Sequence, residues 1–318
     1  MRVFCGLPSP LLRRPTALAI GNFDGVHTGH QSLLRSVVQA AADRGLQPAC
    51  VTFEPHPREL FHKPDEVLPR ISTLYDKVLR ILETGIQRVY ILPFNKRLAS
   101  LRAEAFVRDV LCEGLDAHWI TVGKDFHFGA DRHGDVEHLE KLSKELHYEF
   151  YVAPTLFHTN ARVSSSRIRE ALLTGDLVEA SLMLGRRYSM TGRVIHGAAL
   201  GRTLGYPTLN MATVPPGSCA RPAVTGVYAV RIKGLGRAVQ NGVASVGRKP
   251  TVSSDGRWLL ETHVFDWQGN AYGKLIEVEF VERLREEKKV FRSLEELTAA
   301  IEADAKRARG ILGLSGAG

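Results

Sequence analysis

The sequence predicts an α/β domain built on a parallel sheet, followed by a small antiparallel β-barrel that ends in a helix. In the first half, short apolar runs alternate with segments whose apolar residues recur at helical spacing, which is typical of βαβ units. From residue 188 to about residue 282, short strand-like runs alternate with glycine-rich turns, which favours a barrel. This change of pattern predicts a boundary near Gly185, giving domains 1–185 and 186–318.

The individual elements follow from the same patterns. In the first domain we expect strands at residues 17–20, 49–53, 88–94, 118–122 and 148–153. Helices should cover the segment from Leu33 to a cap at Gly45, then residues 74–85, 103–113 and 136–146, and a pair of short helices over 167–184. Barrel strands are expected at 189–196, 226–232, 239–246, 259–267 and 275–281, with a hairpin turn at 266–270. A capping box at Ser293 and Glu296 starts the last helix.

Composition and charge indicate a globular protein without a membrane-spanning segment. Of the 318 residues, 44% are hydrophobic and 24% charged, which is ordinary for a globular protein. No run of 18 apolar residues and no signal-peptide pattern are present, so we expect no membrane partner. The four cysteines are widely spaced, which favours free thiols in the cytoplasm. The net charge of +8 is spread along the chain, so small anionic substrates or a solvated surface explain it better than nucleic acid.

Three loops of the first domain leave the carboxyl ends of predicted strands, at residues 21–30, 54–57 and 123–129. Ligands of open α/β sheets bind beyond these strand ends. A fourth candidate for ligand binding is segment 163–169, with the sequence VSSSRIR. Its serines can cap a helix or donate to an anion, and Arg169 can reach a phosphate.

The first of these loops contains the motif His27-Thr28-Gly29-His30 between a strand and a helix. Backbone N–H groups and the helix dipole favour anions at such a junction, and small residues let a ligand approach closely. A surface loop with two solvated histidines is the alternative. A metal pair ranks last, because no cysteine or carboxylate stands at ligand spacing. The motif therefore indicates a phosphate site with two imidazoles.

Together with the later S-S-x-x-x-R at residues 164–169, the H-x-G-H motif resembles the nucleotidyltransferase superfamily, whose α/β domain is Rossmann-like and which includes class I aminoacyl-tRNA synthetases. A longer set of motifs is narrower: GNFDGVHTGH at 21–30, FEPHP at 53–57 and G-x-D-F-x-F-G at 123–129. This set resembles the adenylyltransferase half of the bacterial bifunctional riboflavin kinase/FMN adenylyltransferase family, also called FAD synthetases.

That resemblance implies roles for particular residues. It implies that ATP is bound by a set of residues from the first and fourth segments: Asn22, Asp24, His27, His30, Ser164, Ser165 and Arg169. It also places Pro55, Pro57 and Asp125 near the flavin. For Asp125, a structural role as the cap of a turn is an equally good interpretation. FMN already carries an anionic phosphate nucleophile, so the catalytic histidines His27 and His30 need only stabilise charge at the α-phosphate and the leaving pyrophosphate.

The second domain has its own glycine-rich stretch, GAALGRTLGYPTLN at residues 197–210. It is not a Walker A loop, because the G-K-[ST] end is missing. Its glycines, Gly197, Gly201 and Gly205, would let backbone amides approach a phosphate. Thr208 and Asn210 offer neutral oxygens to Mg²⁺, which keeps waters and phosphate as its other ligands. A long barrel loop is the alternative, and the residues alone favour it slightly.

The stretch G-R-x-x-G-Y-P-T-x-N at 201–210, with GVASVG at 242–247 and PTV at 250–252, resembles the riboflavin kinase half of the same family. The resemblance implies Mg-ATP binding by Thr208 and Asn210. Glu261 resembles the family's catalytic glutamate, which would take the proton of the riboflavin ribityl 5′-hydroxyl. Periodicity does not decide the direction of its side chain. Arg285 either lies near the flavin or is a solvated helix charge.

These observations predict an enzyme that phosphorylates riboflavin to FMN and then adenylylates FMN with ATP to FAD. The resemblance extends from about residue 16 to residue 312. One alternative is a single-activity enzyme with one inactive domain. Another is an RNA-binding protein with a nucleotide-binding domain and an OB-like barrel, but Trp258, Phe265 and Trp267 do not alternate with basic residues as that function requires. Oligomeric state is not predicted.

Overall fold

The computed structural model describes residues 1–61, 67–159, 161–197, 201, 204–215, 218–249, 257–287 and 291–314. Among these residues the strands, in chain order, are β1 (Arg2–Cys5), β2 (Thr16–Ile20), β3 (Gln47–Glu54), β4 (Pro69–Arg70), β5 (Arg88–Pro93), β6 (Ala117–Gly123), β7 (Glu149–Ala153), β8 (Phe157–His158), β9 (Ala161–Arg162), β10 (Ser189–Ile195), β11 (Thr208–Ala212), β12 (Arg221–Pro222), β13 (Gly226–Lys233), β14 (Gln240–Lys249), β15 (Arg257–Val264) and β16 (Leu275–Arg285).

The helices of the described residues, in the same order, are α1 (Thr28–Arg44), α2 (Pro57–Leu60), α3 (Leu74–Leu82), α4 (Lys96–Ala99), α5 (Ala103–Ala105), α6 (Glu113–Leu115), α7 (Val136–Leu146), α8 (Ser165–Thr174), α9 (Leu177–Leu184) and α10 (Leu294–Ile311). Between α5 and α6 the segment Phe106–Cys112 is π-helical, so the helix predicted over 103–113 is present but locally underwound. None of these helices is long and apolar enough to cross a membrane.

The chain forms two compact units. The first comprises residues 1–68 and 77–164, and the second comprises residues 69–76 and 165–318. The helix pair α8 and α9 therefore belongs to the second unit by its contacts, whereas the sequence pattern grouped it with the first domain. Segment 69–76 joins the second unit because β4 pairs with β12, with Pro69 opposite Arg221.

A parallel sheet forms the centre of the first unit, with the strand order β1-β5-β3-β2-β6-β7. All five predicted strands are confirmed, and β1 adds an edge strand beside β5. β2, with the sequence TALAI, is buried along its whole length, as expected for a strand covered on both faces. Its Leu18 and Ile20 pack with Tyr90 and Ile120 in the core on one face.

The strand order locates the place where a ligand can bind. From β2 the chain moves through β3 to β5 on one side, and later places β6 and β7 on the other side of β2. In open α/β sheets, such a reversal creates a crevice at the carboxyl ends of the two diverging strands. The crevice therefore lies beyond β2 and β6, where the loops beginning at Gly21 and Gly123 start.

The second unit contains a closed antiparallel barrel with the strand order β10-β11-β15-β14-β13-β16. Pairing of β16 with β10, for example Glu277 opposite Thr191, closes it. Along β15 the side chains of Leu260, Thr262 and Val264 are buried, while Glu261 and His263 between them are half-exposed. This alternation is the inside–outside pattern of a small barrel, and the predicted fold class is confirmed.

Two barrel predictions need correction. Thr208–Ala212 is a strand, although the sequence pattern predicts that this region belongs to a glycine-rich loop. The hairpin predicted at 266–270 is wrong, because β15 pairs with β11 and β14 while β16 pairs with β10 and β13. The residues there do form a turn, but closure of the barrel rather than the local turn decides which strands pair.

The last helix, α10, begins as predicted. Ser293 is its N-cap, and its Oγ accepts a hydrogen bond from the backbone N–H of Glu296 at 3.2 Å. Ala305 and Ala308 of this helix pack against apolar residues of the barrel strands, among them Val227 and Val243. The helix thus covers part of the outer surface of the barrel.

Candidate active sites

The loop after β2 has an unusual backbone. Phe23, Gly25 and Val26 have φ angles of 48°, 84° and 42°, in the left-handed region. For Val26 this conformation is strained, since its β-branched side chain crowds the backbone. The surrounding fold maintains it, because Phe23, Asp24 and Val26 are all buried. Strain of this kind collects at functional sites, and here it turns the chain sharply into α1.

His27 is the N-cap of α1. Its Nδ1 accepts a hydrogen bond from the backbone N–H of His30 at 3.2 Å, and the residue is only 7% exposed. Because Nδ1 accepts, the neutral ring carries its proton on Nε2. The capping bond therefore leaves His27 with an N–H donor at the helix start, where anions are favoured.

The two histidine rings of the motif are stacked. Their centroids are 3.6 Å apart and their planes differ by 15°. Gly29 permits this arrangement, because a Cβ atom there would lie 3.1 Å from Cε1 of His27. The stacking fixes the position of the two rings relative to each other at the start of α1.

The other two predicted loops follow the neighbouring strands. The hydroxyl of Thr52 in β3 donates to the carbonyl oxygen of Asn22 at 3.1 Å, which ties β3 to the H-x-G-H loop. Beyond Glu54, the last residue of β3, Pro55 is exposed and Pro57 starts α2. The loops after β3, β2 and β6 are thus brought to one edge of the sheet, as predicted.

Asp125 lies in the turn after β6. Its carboxylate forms an ion pair with Arg162 of β9, and its carbonyl oxygen lies 3.0 Å from Nδ1 of His127. Among the described residues, the carboxylate makes no bond to the backbone of its own turn, so the turn-cap alternative is wrong. Contact of Asp125 with a flavin stays a prediction.

The residues of the S-S-x-x-x-R motif lie around the start of α8. Ser164 is the last residue of the first unit, and Ser165 is the first residue of α8 in the second. Arg169 is buried, and its Nε donates to the carbonyl oxygen of Pro69 in β4 at 2.8 Å. Binding of ATP by these three residues stays a prediction.

A second set of polar residues lies on the outer face of the barrel. Asn210 of β11 is directly opposite Glu261 of β15, which is opposite Ser245 of β14. In the next row Thr208 is opposite His263. Directly paired residues of antiparallel strands have Cβ atoms about 5 Å apart on one face. The structure thus answers what periodicity left open: Glu261 projects away from the barrel interior, on the face of Asn210 and Thr208.

Asn210 has the most demanding environment of this set. It is 4% exposed, and its Nδ2 donates to the carbonyl oxygen of Thr208 at 3.4 Å. Its Oδ1 is buried and has no hydrogen-bond partner among the described residues. Gly197 lies against this amide, since a Cβ atom there would fall 2.4 Å from Nδ2. A buried carbonyl oxygen of this kind is costly without a donor or a cation.

The two following glycines shape a tight turn before β11. The carbonyl oxygen of Gly201 accepts from the backbone N–H of Tyr206 at 2.8 Å and from that of Leu204 at 3.2 Å. A Cβ atom on Gly201 would lie 2.3 Å from the carbonyl oxygen of Tyr206, and Gly205 has a φ of +81°. Of the motif residues, Arg202 and residues 250–252 lie outside the described residues.

His263 supports the start of β11 from the neighbouring strand. Its Nδ1 lies 2.9 Å from the carbonyl oxygen of Pro207, so the ring donates from Nδ1 to the residue before Thr208. The ring also packs edge-to-face against Tyr206, with a centroid distance of 5.1 Å. This contact depends on the pairing of β15 with β11, so the sequence around His263 does not identify Pro207 as its partner.

Comparison with known families assigns both halves of the chain. Residues 10–167 match the family model described as FAD synthetase, and residues 184–312 match the one described as riboflavin kinase. A bifunctional riboflavin kinase/FMN adenylyltransferase from Escherichia coli K12 is 39% identical, over 94% of this chain and 93% of its own. The chain belongs to the bifunctional riboflavin kinase/FMN adenylyltransferase family.

Two further comparisons agree with this membership. The family member from Pseudomonas fluorescens is 40% identical over 94% of this chain and 93% of its own. A crystal structure described as a macrolide-efflux protein from Streptococcus pneumoniae is 29% identical, with a TM-score of 0.73 over 97% of this chain and 99% of its own. That structure supports the fold, and the efflux role belongs to its own description. The resemblance drawn from the motifs is therefore confirmed.

Family membership leaves the role of Arg285 as a prediction. Arg285 is the last residue of β16 and donates to the carboxylate of Asp304 in α10, from Nε to both oxygens at 3.0 Å and from Nη2 to Oδ2 at 2.7 Å. It lies on a strand and pairs with a buried carboxylate, so the alternative of a solvated helix charge is wrong. The ion pair also fixes α10 to the barrel.

Proposed function

We propose that this chain phosphorylates riboflavin with ATP to give FMN in its second unit. We further propose that it joins FMN to the AMP part of ATP in its first unit, releasing pyrophosphate and forming FAD. The observation that carries this proposal is the presence of two separate polar sets. One is the stacked pair His27 and His30 at the start of α1, and the other is the row of Asn210 and Glu261 on the barrel. By sequence bounds we assign adenylyl transfer to domain 1–185, which also contains segment 69–76 and helices α8 and α9 of the second unit, and the kinase activity to domain 186–318.

In the kinase step the attacking group is the ribityl 5′-hydroxyl of riboflavin. Glu261 takes its proton while the oxygen attacks the γ-phosphorus, and the bond to the β-phosphate oxygen breaks to release ADP. Thr208 and Asn210 would hold Mg²⁺, which supplies positive charge to the triphosphate. The buried Oδ1 of Asn210 fits a hard cation that takes oxygen ligands. Among the described residues no three acidic, histidine or cysteine side chains could hold a metal together, so phosphate and water would complete its ligands.

In the adenylyl transfer step a phosphate oxygen of FMN attacks the α-phosphorus of ATP, and the bond to the pyrophosphate oxygen breaks. The attacking oxygen is already anionic, so no general base is required. The Nε2–H of His27 can donate to the charge that develops on the transferring phosphate or the leaving pyrophosphate. His30, stacked on it, shares this role.

Two variants test the division of labour. Each is supplied with riboflavin, ATP and Mg²⁺, and FMN is separated from FAD by chromatography. His30→Ala is expected to stop at FMN, because the barrel residues are intact. Glu261→Ala is expected to leave riboflavin unchanged but still to convert supplied FMN to FAD. Loss of both steps in both variants, with each protein folded by circular dichroism, would show that the assignment is wrong.

The same assay separates the alternatives. A single-activity enzyme would show one step in the unaltered protein and never the other. A nucleic-acid-binding protein would show salt-sensitive RNA binding without flavin turnover. The presence of Glu261, Asn210 and both histidines supports the bifunctional assignment over either.

We also propose that the protein works in the cytoplasm, with small molecules as its partners. Cys5, Cys50, Cys112 and Cys219 are all free thiols, which supports a reducing compartment. Cell fractionation followed by the FAD-forming assay tests this location. Recovery of the activity outside the cytoplasmic fraction would contradict it.

A further inference from the structure

Lys77 of α3 is a buried cation at the carboxyl end of β3. The residue is 2% exposed, and its Nζ lies 3.2 Å from the carbonyl oxygen of Phe53 and 3.7 Å from Oε2 of Glu54. Lysine is rarely so buried unless it is paired, because removing an ammonium group from water is costly. An ammonium in this position therefore calls for an explanation.

The groups around Lys77 differ in whether they can balance its positive charge. The thiol of Cys50 in β3 is fully buried, and this burial raises its pKa, although the positive charge of Lys77 acts in the opposite direction. The thiol therefore stays neutral and does not balance the positive charge. Glu54 supplies a negative charge, and the carbonyl oxygen of Phe53 accepts a charge-assisted hydrogen bond. Both are the last residues of β3, so the ammonium acts at the end of the strand.

The end of β3 is also the start of a loop with a predicted role in flavin binding. Pro55 follows Glu54 directly, and Pro57 comes two residues later. Because proline fixes its own φ angle, the position of the end of β3 restricts the path of this loop. Nδ1 of His56 accepts from the backbone N–H of Arg58 at 3.2 Å and so continues the ordered backbone into α2. Lys77 therefore contacts the two residues that come directly before Pro55.

We propose that Lys77 is a positioning residue for FMN in the adenylyltransferase site. Its ammonium fixes the end of β3, and the loop 54–57 then presents Pro55 and Pro57 to the flavin in one geometry. The proposal rests on the function proposed above for the first unit. At 2% exposure Lys77 does not itself contact a substrate. Its effect should therefore fall on the binding of FMN rather than on the reacting phosphates.

Steady-state kinetics of FMN adenylylation test this role. Lys77→Met removes the charge and retains the length of the side chain, while Lys77→Arg retains the charge. For Lys77→Met we expect KM for FMN to rise about tenfold, as for outer residues that orient a binding group. The KM for ATP and the rate of riboflavin phosphorylation should stay close to those of the unaltered protein, and Lys77→Arg should recover most of the loss.

A matched control comes from the same helix. Arg80 of α3 pairs with Glu83 at 2.8 Å, so Arg80→Met also removes one cation from α3. It should leave KM for FMN unchanged. An unchanged KM for FMN in Lys77→Met would overturn the proposal. So would a parallel fall of both activities that follows a lower unfolding temperature, because that pattern indicates a purely structural lysine.

Two further measurements keep the test decisive. If Lys77→Met does not fold, Glu54→Gln removes the paired carboxylate instead and should raise KM for FMN in the same direction. No change in Glu54→Gln would then count against the proposal. If the unaltered protein forms no FAD from FMN, the proposed function itself fails. An active unaltered protein with a normal Lys77→Met variant rejects only the role of Lys77.

Discussion

At the scale of single residues, His27 caps a helix and also has a proposed role in adenylyl transfer. Its Nδ1 caps α1, and this bond determines that the proton of the neutral ring is on Nε2. The cap thus orients the N–H group that would donate to phosphate in the adenylyl transfer proposed above. The motif could be recognised from the sequence, but the stacking of the rings and the left-handed φ of Phe23 and Val26 could not, because they depend on burial within the folded unit.

The close contact between Gly29 and the His27 ring gives a testable prediction. In Gly29→Ala the new Cβ would lie 3.1 Å from Cε1 and 3.2 Å from Nδ1 of His27, so the ring must move by a few tenths of an ångström. Small displacements of positioned groups are costly in catalysis, and we expect kcat of FMN adenylylation to fall about tenfold. Riboflavin phosphorylation measured on the same sample should be unchanged.

Gly310→Ala serves as the control for this prediction. Gly310 lies in α10, and a Cβ atom there would meet nothing within 4 Å beyond the adjoining residues and backbone of its own helix. This change should leave both activities intact. Adenylylation by Gly29→Ala at the rate of the unaltered protein would mean that the ring position does not matter for the reaction.

At the scale of elements, the strands whose residues are continuously apolar were predictable, and β11 was not. Thr208–Ala212 places polar Thr208 and Asn210 on one face and Leu209 and Met211 on the other. Five residues after a glycine-rich stretch are too few for this alternation to stand out. The position of β11 beside β15 depends on closure of the barrel, which is a long-range property. The wrong hairpin at 266–270 has the same cause.

Attachment of α10 to the barrel can be measured through Asp304. This carboxylate accepts hydrogen bonds from Nε and Nη2 of Arg285, and Asp304→Asn removes its negative charge and one of its two acceptor oxygens. We expect Asp304→Asn to lower the free energy of unfolding by about 1.5–3 kcal/mol, the usual contribution of a hydrogen bond to a charged group. Urea unfolding followed by circular dichroism measures this change.

The exposed Glu302 on the same helix provides the comparison. Glu302→Gln should alter stability by less than about 0.5 kcal/mol, as is usual for surface substitutions. If Asp304→Asn is no less stable than Glu302→Gln, the ion pair does not hold the helix. Arg285 would then be better explained by the predicted contact with flavin.

At the scale of the whole molecule, the chain carries two chemistries, and the product of one is the substrate of the other. Both could be predicted from the sequence because each depends on a dense local motif. Which segments of the chain belong to each compact unit could not be predicted. Segment 69–76 joins the second unit through the pairing of Pro69 with Arg221, and through the bond from the backbone N–H of Thr191 to Asp76 at 2.9 Å. Contacts between residues so far apart in the chain cannot be predicted from a local sequence pattern.

If two separate sites act in succession, a mixture of two variants with opposite defects should make FAD from riboflavin. His30→Ala and Glu261→Ala are combined with riboflavin, ATP and Mg²⁺, and FAD is measured over time. We predict that neither variant alone makes FAD from riboflavin, while the mixture does so after a lag, because FMN made in excess of the enzyme by the first is adenylylated by the second. A mixture of folded variants that forms no more FAD than the two apart would contradict the account.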